Sequence, residues 1–317
     1  MDKEISKLIS EAGSIAIFPH VSADGDAIGS SLALGLVLRN AGKRVAIYIE
    51  ENIPNVYSFL PGIELANLHN SADEVMDLNI ALDTGDVGRL GTRAEFFFNA
   101  PCTINIDHHI TNTKFSHLNF VDELSASTGE IIYSLIKEME LEINADIATC
   151  LYAAIATDTG GFQYQNTSAE THKITAELLS TGINVGELSQ RIFDNTTFEK
   201  LKLTQKAIEL LELYENAKFA VVVLSLEDIH SIGARDEDCD GIVNIGRSIE
   251  GVEVSALIKE KGDNEIRVNL RSKTYVDVSE VAALFEGGGH KRAAGCTIKG
   301  SLEDAKSKII NAIKDRL

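Results

Sequence analysis

Residues 16–31 read AIFPHVSADGDAIGSS, and the reading of this stretch decides the reading of the rest. It begins inside an apolar run, Ile15 to Phe18, and ends as the opening of an apolar helix, Ile28 to Leu38. A strand stopping at Pro19 and a helix starting near Gly25 leave a loop at the carboxyl end of the strand, where open α/β sheets place their ligands. That loop carries His20, Asp24 and Asp26. Gly25 lets the chain turn tightly enough to aim both carboxylates at one point. One imidazole with two carboxylates suits a hard or borderline divalent ion. Alone, the stretch also reads as an ordinary Asp-Gly turn with Asp26 as N-cap of the next helix.

Working outward, short apolar runs at Ile15–Phe18, Val45–Ile49, Ile80–Asp83, Thr103–Ile106 and Leu118–Val121 predict strands. Helical patterns at Ile5–Ala12, Ala27–Ala41, Thr128–Glu140, Ala145–Thr157, Glu170–Ser180 and Val185–Phe193 surround them. The alternation predicts an α/β domain over 1–195 with a doubly wound, mostly parallel sheet. Phe198 to Tyr214 reads as one long helix, placing a connector at 196–216. From 217 to 317 the pattern changes to a smaller α+β domain. Its predicted strands are Phe219–Leu224, Val252–Lys259, Glu265–Arg271 and Ala293–Ile298. Its predicted helices are Asp238–Ser248, Val276–Phe285 and Leu302–Leu317. The middle strand pair turns through Lys261-Gly262-Asp263-Asn264, a hairpin signal.

With 317 residues, 44% of them hydrophobic, the chain can bury two ordinary cores. No apolar window is long enough for a membrane span, and the charged, helical-period start lacks an apolar leader, so a cytoplasmic protein is expected. Cys102, Cys150, Cys239 and Cys296 are widely spaced, which speaks against a disulfide framework or structural zinc and predicts buried small hydrophobes. A net charge of −19 lacks the basic balance of a long-duplex binder. Any nucleic-acid substrate should therefore be short and held by a few local cations. The absence of Trp speaks against broad base-stacking platforms.

Three later segments repeat the first. Ile80-Ala81-Leu82-Asp83-Thr84-Gly85-Asp86 is a strand ending in a carboxylate, with Asp86 suited to capping the next helix. Thr103-Ile104-Asn105-Ile106-Asp107-His108-His109 ends a strand in three side chains able to bind metal or move protons. Ile155-Ala156-Thr157-Asp158-Thr159-Gly160-Gly161 ends an apolar helix in an acid. Gathered together, Asp24, Asp26, Asp83 and Asp158 would repel one another strongly. Two divalent cations balance four carboxylates, and metal pairs are a known device for attacking phosphorus. His109, beside a ligand, is placed to donate to phosphoryl oxygens.

Glu286-Gly287-Gly288-Gly289-His290-Lys291-Arg292 offers bare backbone N–H groups and cationic donors, an anion-binding pattern. Arg267, Arg271 and Lys273 share a face at strand spacing, and Arg271 is the residue read as a fork for phosphate or carboxylate. His69, His117, His172 and His230 fall outside these motifs and are read as structural or surface residues.

Taken together, HVSADGDAIGS, ALDTGD, NIDHH, ATDTGGF and GGGHKRAAG resemble, in order, the motifs of the DHH phosphoesterase family, over nearly the whole chain. The glycine-rich tail resembles the DHH-associated domain of bacterial oligoribonuclease/pAp phosphatases. The resemblance implies a manganese-dependent enzyme with two Mn²⁺ (Mg²⁺ or another divalent metal being admissible) and an active site in the cleft between the domains. Its implied substrates are short single-stranded RNA (nanoRNA, pApA) and 3′-phosphoadenosine 5′-phosphate, with cyclic di-AMP cleaved by some members. It implies neither a long duplex nor a membrane as partner, and leaves a homodimer open.

By motif, the resemblance implies His20, Asp24 and Asp83 on one ion, and Asp26, Asp83, His108 and Asp158 on the other. Asp83 would bridge, Asp107 would orient the site, and His109 would face the phosphate. Arg271, Gly288, Gly289 and His290 would hold substrate, with Arg292 beside them. Ser127-Thr128-Gly129-Glu130 and Asn112 match the family's surroundings without a defined role. The first loop reads His-Val-Ser-Ala-Asp where His-x-Asn-Pro-Asp is usual, and Arg292 stands where Asn is common. Competing readings are an inorganic pyrophosphatase, a RecJ-like single-strand exonuclease and a nucleotide-binding sensor. The GGGH tail, the short acidic chain and the complete ligand set respectively speak against them.

Overall fold

The computed structural model describes residues 3–68, 74–262 and 264–317. His69 and the turn residue Asp263 lie outside the described residues. The chain divides into two compact units, Met1–Asn195 and Thr196–Leu317.

The first unit is built on a sheet of β1 (Ser14–Pro19), β2 (Arg44–Ile49), β3 (Ala66–Leu68), β4 (Leu78–Leu82), β5 (Cys102–Asp107) and β6 (Leu118–Val121). The order is β3-β2-β1-β4-β5-β6, with every pair parallel. The helices are α1 (Lys3–Glu11), α2 (Gly25–Asn40), α3 (Ala94–Phe98), α4 (Thr128–Glu138), α5 (Ala145–Asp158), α6 (Ala169–Leu179) and α7 (Val185–Phe193). Both sheet faces are covered, as a parallel sheet requires. Ile15 and Ile17 of β1 point into a core with Ile9, Leu32, Ile132 and Leu151. Ala16 and Phe18 point the other way, against Tyr48, Phe96 and Phe97. Phe18 meets Phe97 edge-on at 5.3 Å. The strand order reverses between β1 and β4, the switch point at which such sheets open a crevice.

The second unit carries β7 (Glu212–Tyr214), β8 (Phe219–Leu224), β9 (Val254–Gly262), β10 (Glu265–Ser272), β11 (Gly288–His290) and β12 (Ala293–Lys299), in the order β11-β12-β10-β9-β8-β7. Only the β8–β9 pair is parallel. On one face lie α11 (Val278–Ala283) and α12 (Leu302–Lys314), packing Val281 and Ile309 against Val268. On the other lie α8 (Phe198–Glu209), α9 (Leu226–Ile232) and α10 (Val243–Ser248), which pack Leu203, Ile229 and Val243 against Val222.

Three expectations need correction here. The helix expected over Phe198 to Tyr214 stops at Glu209, and Glu212–Tyr214 is an edge strand paired with β8. The helix expected over Asp238–Ser248 is a 3-10 turn, Asp236–Cys239, followed by the short α10. The glycine run read as bare amides for an anion is instead drawn into the sheet, Gly288–His290 forming β11 against β12. A Cβ on Gly287 would meet the Gly295 oxygen at 2.3 Å, and one on Gly289 the Ala293 oxygen at 2.5 Å. Close strand approach therefore accounts for two of the three glycines, while Gly288 faces open space.

Helices α2 and α5 cross closely enough to exclude side chains. A Cβ on Gly25 would lie 2.5 Å from Thr157, and one on Gly29 would lie 2.5 Å from the Cys150 oxygen and 2.9 Å from Ala154 N. The second contact is with rigid backbone, so Gly29→Ala must push the helices apart. We expect a loss of ~1–3 kcal/mol in a denaturant melt, the usual cost of overpacking. Turnover should fall too, because α2 carries Asp24 and Asp26 at its start and α5 carries Asp158 at its end. Wild-type stability in Gly29→Ala would show that the crossing is compliant.

Candidate metal centre

Strand register assembles the centre. Pro19 of β1 pairs with Leu82 of β4, and Leu82 with Ile106 of β5. His20, Asp83 and Asp107 are each the next residue, so they stand side by side at the carboxyl ends of three adjacent strands. Asp83 turns out of its strand with a left-handed backbone, φ +54°. For a residue with a Cβ such strain costs on the order of 1 kcal/mol, and it concentrates at functional sites. The turn buries the Asp83 carboxylate, 2% exposed, between two imidazoles. Its Oδ2 lies 3.5 Å from His20 Nε2 and its Oδ1 lies 3.4 Å from His108 Nε2.

The DxD pair divides its work differently from the sequence expectation. Asp24, not Asp26, is the N-cap of α2, accepting from Asp26 N and Ala27 N at 3.1 Å. Asp26 reaches instead to the start of α4, where Thr128 N and Gly129 N donate at 2.7 and 2.9 Å. That is an anion at a helix N-terminus. Gly129 is required there, since its Cβ would come within 2.7 Å of Ala154. The Thr128 hydroxyl donates to Asp83 Oδ1 at 3.1 Å. Thr128 and Gly129, matched above without a defined role, are thus the scaffold of two of the carboxylates. Asp158 sits on the last residue of α5, where the helix dipole disfavours an acid. Its Oδ2 lies 3.6 Å from His108 Nε2, and Asp26 Oδ2 lies 3.8 Å from the same nitrogen.

Overlapping groups result: His20 with Asp24 and Asp83, Asp26 with Asp83 and His108, and, to one side, Asp83 with Asp107 and His109. Both imidazoles turn Nε2 inward. His20 Nδ1 is 2.7 Å from the Val21 carbonyl and His108 Nδ1 is 3.2 Å from that of Ser125. Carbonyls only accept, so His108 Nδ1 carries the hydrogen and its Nε2 lone pair points at the carboxylates, the tautomer a metal needs, while His20 Nδ1 faces both a carbonyl and the donor-only Arg89 guanidinium, which call for opposite tautomers. The Nε2–carboxylate separations of 3.4–3.8 Å are long for hydrogen bonds. The two to Asp83, 3.4 and 3.5 Å, fall where donors sharing an ion at about 2.1 Å stand, roughly 3.0–3.5 Å apart, and the three to Asp24, Asp26 and Asp158 are wider at 3.6–3.8 Å.

The electrostatics agree. Burial pushes Asp26 well above the carboxylate range, with the charges of Asp83 and Asp158 adding to it. Burial likewise lifts Asp158 to about 6. For His20 burial opposes protonation, yet Asp24 and Asp83 raise it to about 9. Burial also opposes protonation of His108, and Asp158 and Asp83 raise it well above its usual range. Without cations the site must hold protons to balance its acids. The donor set therefore fits divalent metal.

Beside this cluster Asp107 is spent on hydrogen bonds. Its Oδ1 accepts from His108 N at 2.9 Å and His109 Nδ1 at 2.7 Å, and its Oδ2 from Asn112 Nδ2 at 2.6 Å. His109 Nδ1 is also 3.6 Å from Asp83 Oδ1. Asp86 caps the 3-10 helix Val87–Arg93, accepting from Arg89 N. That helix, anticipated in the sequence only through Asp86 as its cap, supports the first loop. Arg89 O accepts from Val21 N at 2.8 Å, and Arg89 Nη2 lies 2.8 Å from His20 Nδ1. Among the remaining histidines, His117 Nδ1 accepts from Thr103 N at 3.1 Å and anchors the start of β5.

In the second unit the register His290–Ala293–Arg271 runs across β11, β12 and β10. Directly paired residues share a face, so Arg271 and His290 flank the small Ala293 on the side opposite the buried Ala294 and Leu270. Arg292 gives Nη1 to the Val276 carbonyl at 2.7 Å. Lys273 lies past the strand and gives its ammonium to the Ile249 carbonyl. It therefore leaves the face that sequence spacing gave it with Arg267 and Arg271. Sequence reasoning missed Glu253, a buried carboxylate that accepts from Thr274 N, Tyr275 N and Val276 N and fixes the segment after Arg271. No local motif marks it, because its partners lie 21 to 23 residues away.

Comparison with known proteins agrees with this architecture. Residues 14–155 match the model of the DHH family, N-terminal domain, and residues 216–317 that of the DHHA1 domain. A bifunctional oligoribonuclease and PAP phosphatase NrnA of Thermus thermophilus is 34% identical, covering 96% of this chain and 90% of the relative. A probable enzyme of the same name from Streptococcus mutans is 30% identical over 92% of each. The crystal structure of an exopolyphosphatase-related protein from Bacteroides fragilis superposes with a TM-score of 0.90 at 29% identity, covering 98% of this chain and 95% of that one. Two family domains in the order found here, and relatives alike from end to end, place the chain in the DHH family, with a DHH N-terminal domain followed by a DHHA1 domain.

Proposed function

We propose that the protein is a two-metal phosphoesterase that hydrolyses short oligoribonucleotides and 3′-phosphoadenosine 5′-phosphate. The observation that carries the two-metal part is Asp83, whose two oxygens face different imidazoles, each within its own donor group. The substrate class rests on the activities that name the relatives. His20, Asp24 and Asp83 would hold one ion, and Asp26, Asp83, His108 and Asp158 the other. Divalent ions held there supply Lewis-acid charge to the phosphoryl group and make water more acidic. Asp107 fixes the proton of His109 on Nδ1, so the opposite edge of the ring is set toward the phosphate. Thr128 and the α4 amides keep Asp83 and Asp26 in place. Manganese suits a set of carboxylates and imidazoles without thiolate.

The test is a substrate panel of pAp, pApA, RNA from 2-mer to 24-mer, cyclic di-AMP and pyrophosphate, with Mn²⁺, Mg²⁺ or Ca²⁺. Turnover is expected on pAp and the shortest RNAs, fastest with Mn²⁺, and abolished by chelation while the circular dichroism of the sheet persists. Full activity after exhaustive chelation would defeat the metal reading. Turnover confined to pyrophosphate would make the protein a pyrophosphatase.

Arg271 and His290 hold the substrate in this reading, with Gly288, Gly289 and Arg292 beside them. Arg271→Ala removes a charge-assisted contact worth ~1.5–3 kcal/mol, roughly 10- to 150-fold in kcat/KM. The loss should fall on pAp and pApA and spare bis-p-nitrophenyl phosphate, which lacks a terminal phosphate. Equal losses on both would put Arg271 in the chemistry itself.

A further inference from the structure

Two residues beyond Asp158 the chain enters a cavity of about 330 Å³ that the metal chemistry leaves unexplained. Gly160, Gly161 and Phe162 are three successive left-handed residues, at φ 57°, 69° and 67°. The hydroxyl and carbonyl of Thr159 pin this turn. Phe162 N donates to Thr159 Oγ1 at 3.1 Å, and Gln163 N to Thr159 O at 2.9 Å. A left-handed backbone is costly for phenylalanine. Here it sets the Phe162 ring into the cavity wall, with His172 stacked on it at 5.6 Å and Tyr152 tilted beside it at 5.9 Å.

Phe193, 44% exposed, lines the same cavity. A Cβ on Gly161 would project between the Gln163 amide, 3.7 Å away, and the Phe193 ring, 3.8 Å away. Both are ordinary contact distances, so the glycine answers to its left-handed backbone, and these two side chains border the gap beside it. The remaining polar wall is Ser189 and Asp194, and among the described residues no lysine or arginine lines the cavity. The lining therefore suits an uncharged, flat ring and not a phosphate. Aromatic faces take bases by stacking, and a side-chain amide matches the amino edge of adenine with paired hydrogen bonds. A carboxylate only accepts, so Asp194 favours an exocyclic amine over a carbonyl.

We propose that this cavity is a nucleobase subsite that takes an adenine of the substrate, stacked between Phe162 and Phe193 and read at its amino edge by Gln163 and Asp194. The inference rests on the phosphoesterase reading, and goes beyond it in giving the first unit its own base specificity next to Asp158. Nucleotides with adenine are held at the ring, independently of any grip on phosphate.

The test compares kcat/KM for three 5′-phosphorylated dinucleotides, with adenine, hypoxanthine or no base, in wild type, Phe193→Ala, Ser189→Phe and Asp194→Ala. Stacking on a side chain is worth about tenfold or more per base. The preference of wild type for a base over none should shrink by about that factor in Phe193→Ala, through KM. It should vanish in Ser189→Phe, which fills the cavity. Asp194→Ala should erase the preference for adenine over hypoxanthine and leave that for a base over none. Unchanged preferences in both Phe193→Ala and Ser189→Phe would overturn the proposal. Failure of wild type to turn over any dinucleotide would instead defeat the phosphoesterase reading. Calorimetric titration with adenosine 3′,5′-bisphosphate then separates the ring from the phosphate grip: affinity weakened about tenfold or more in Ser189→Phe supports the subsite, and equal affinity overturns it. A change in sedimentation of Phe193→Ala with nucleotide preference intact would assign the ring to contact between copies, which also overturns it.

Discussion

Replacing Asp83 by asparagine should lower kcat by ~10³-fold or more, the scale of losing a central electrostatic or metal-binding group. No other side chain faces both imidazoles at 3.4–3.5 Å with opposite oxygens among the described residues. The substitution keeps the shape and removes the charge. Asparagine tolerates the left-handed backbone at least as well as aspartate, and its oxygen can still accept from the Thr128 hydroxyl. The fold should therefore survive, and the thermal transition without metal should move little. Asp86, three residues on, provides the control. It is exposed and caps a 3-10 helix, a task asparagine performs as well as aspartate. Asp86→Asn should leave turnover within a few-fold of wild type. Similar losses from the two variants would mean that Asp83 does not bridge, and a collapsed Asp83→Asn would be exposed as such by its melting curve.

How far such a centre is legible beforehand depends on the range of the interactions. His20, Asp83 and Asp107 could be read from the sequence because each directly ends an apolar run, and parallel pairing then aligns the run ends. The doubly wound class followed from the same runs. The division of labour between Asp24 and Asp26 was not legible. Both are spaced to cap α2, and the contact that takes Asp26 away comes from Thr128 and Gly129, over a hundred residues later. Beyond its cap Asp86, the 3-10 helix Val87–Arg93 escaped, as did α3, because they are short and lack helical periodicity. Phe96 and Phe97 pack on β1 by aromatic contact that no local pattern announces.

The second unit shows the opposite error, a local pattern overruled by pairing. Three glycines after a helix suggest a loop with exposed amides. Instead β12 draws Gly288–His290 into the sheet, and the bare α-carbons of Gly287 and Gly289 serve strand packing. The same pairing is what aligns His290 with Arg271 across Ala293, a relation invisible in a linear reading. Leu302 to Leu317, by contrast, has an amphipathic pattern and a serine cap, and folds as α12 where expected. Of the four cysteines, Cys150, Cys239 and Cys296 are buried as expected, and Cys102 is half-buried.

His109→Ala is expected to lose 10²–10⁴-fold in kcat, the range for a positioned proton donor, with metal binding retained. The ring is held by Asp107 at 2.7 Å and stands edge-on to His108, with ring centres 4.9 Å apart. Burial opposes its protonation, but the Asp107 bond and the Asp83 charge raise its pKa above the usual value. Asp107→Ala should reproduce much of this loss without removing the imidazole, because the ring loses the partner that fixes its tautomer and angle. If the two residues act as one unit, the double variant should be little worse than His109→Ala, as for residues that work as a unit in other enzymes. Fully additive losses would show that Asp107 acts elsewhere, through Asn112 and the His108 amide, to which it is also bonded. Calorimetric titration with Mn²⁺ separates the remaining case. Weakened metal binding in His109→Ala would make the residue part of the ion site and remove it from the role of phosphate donor.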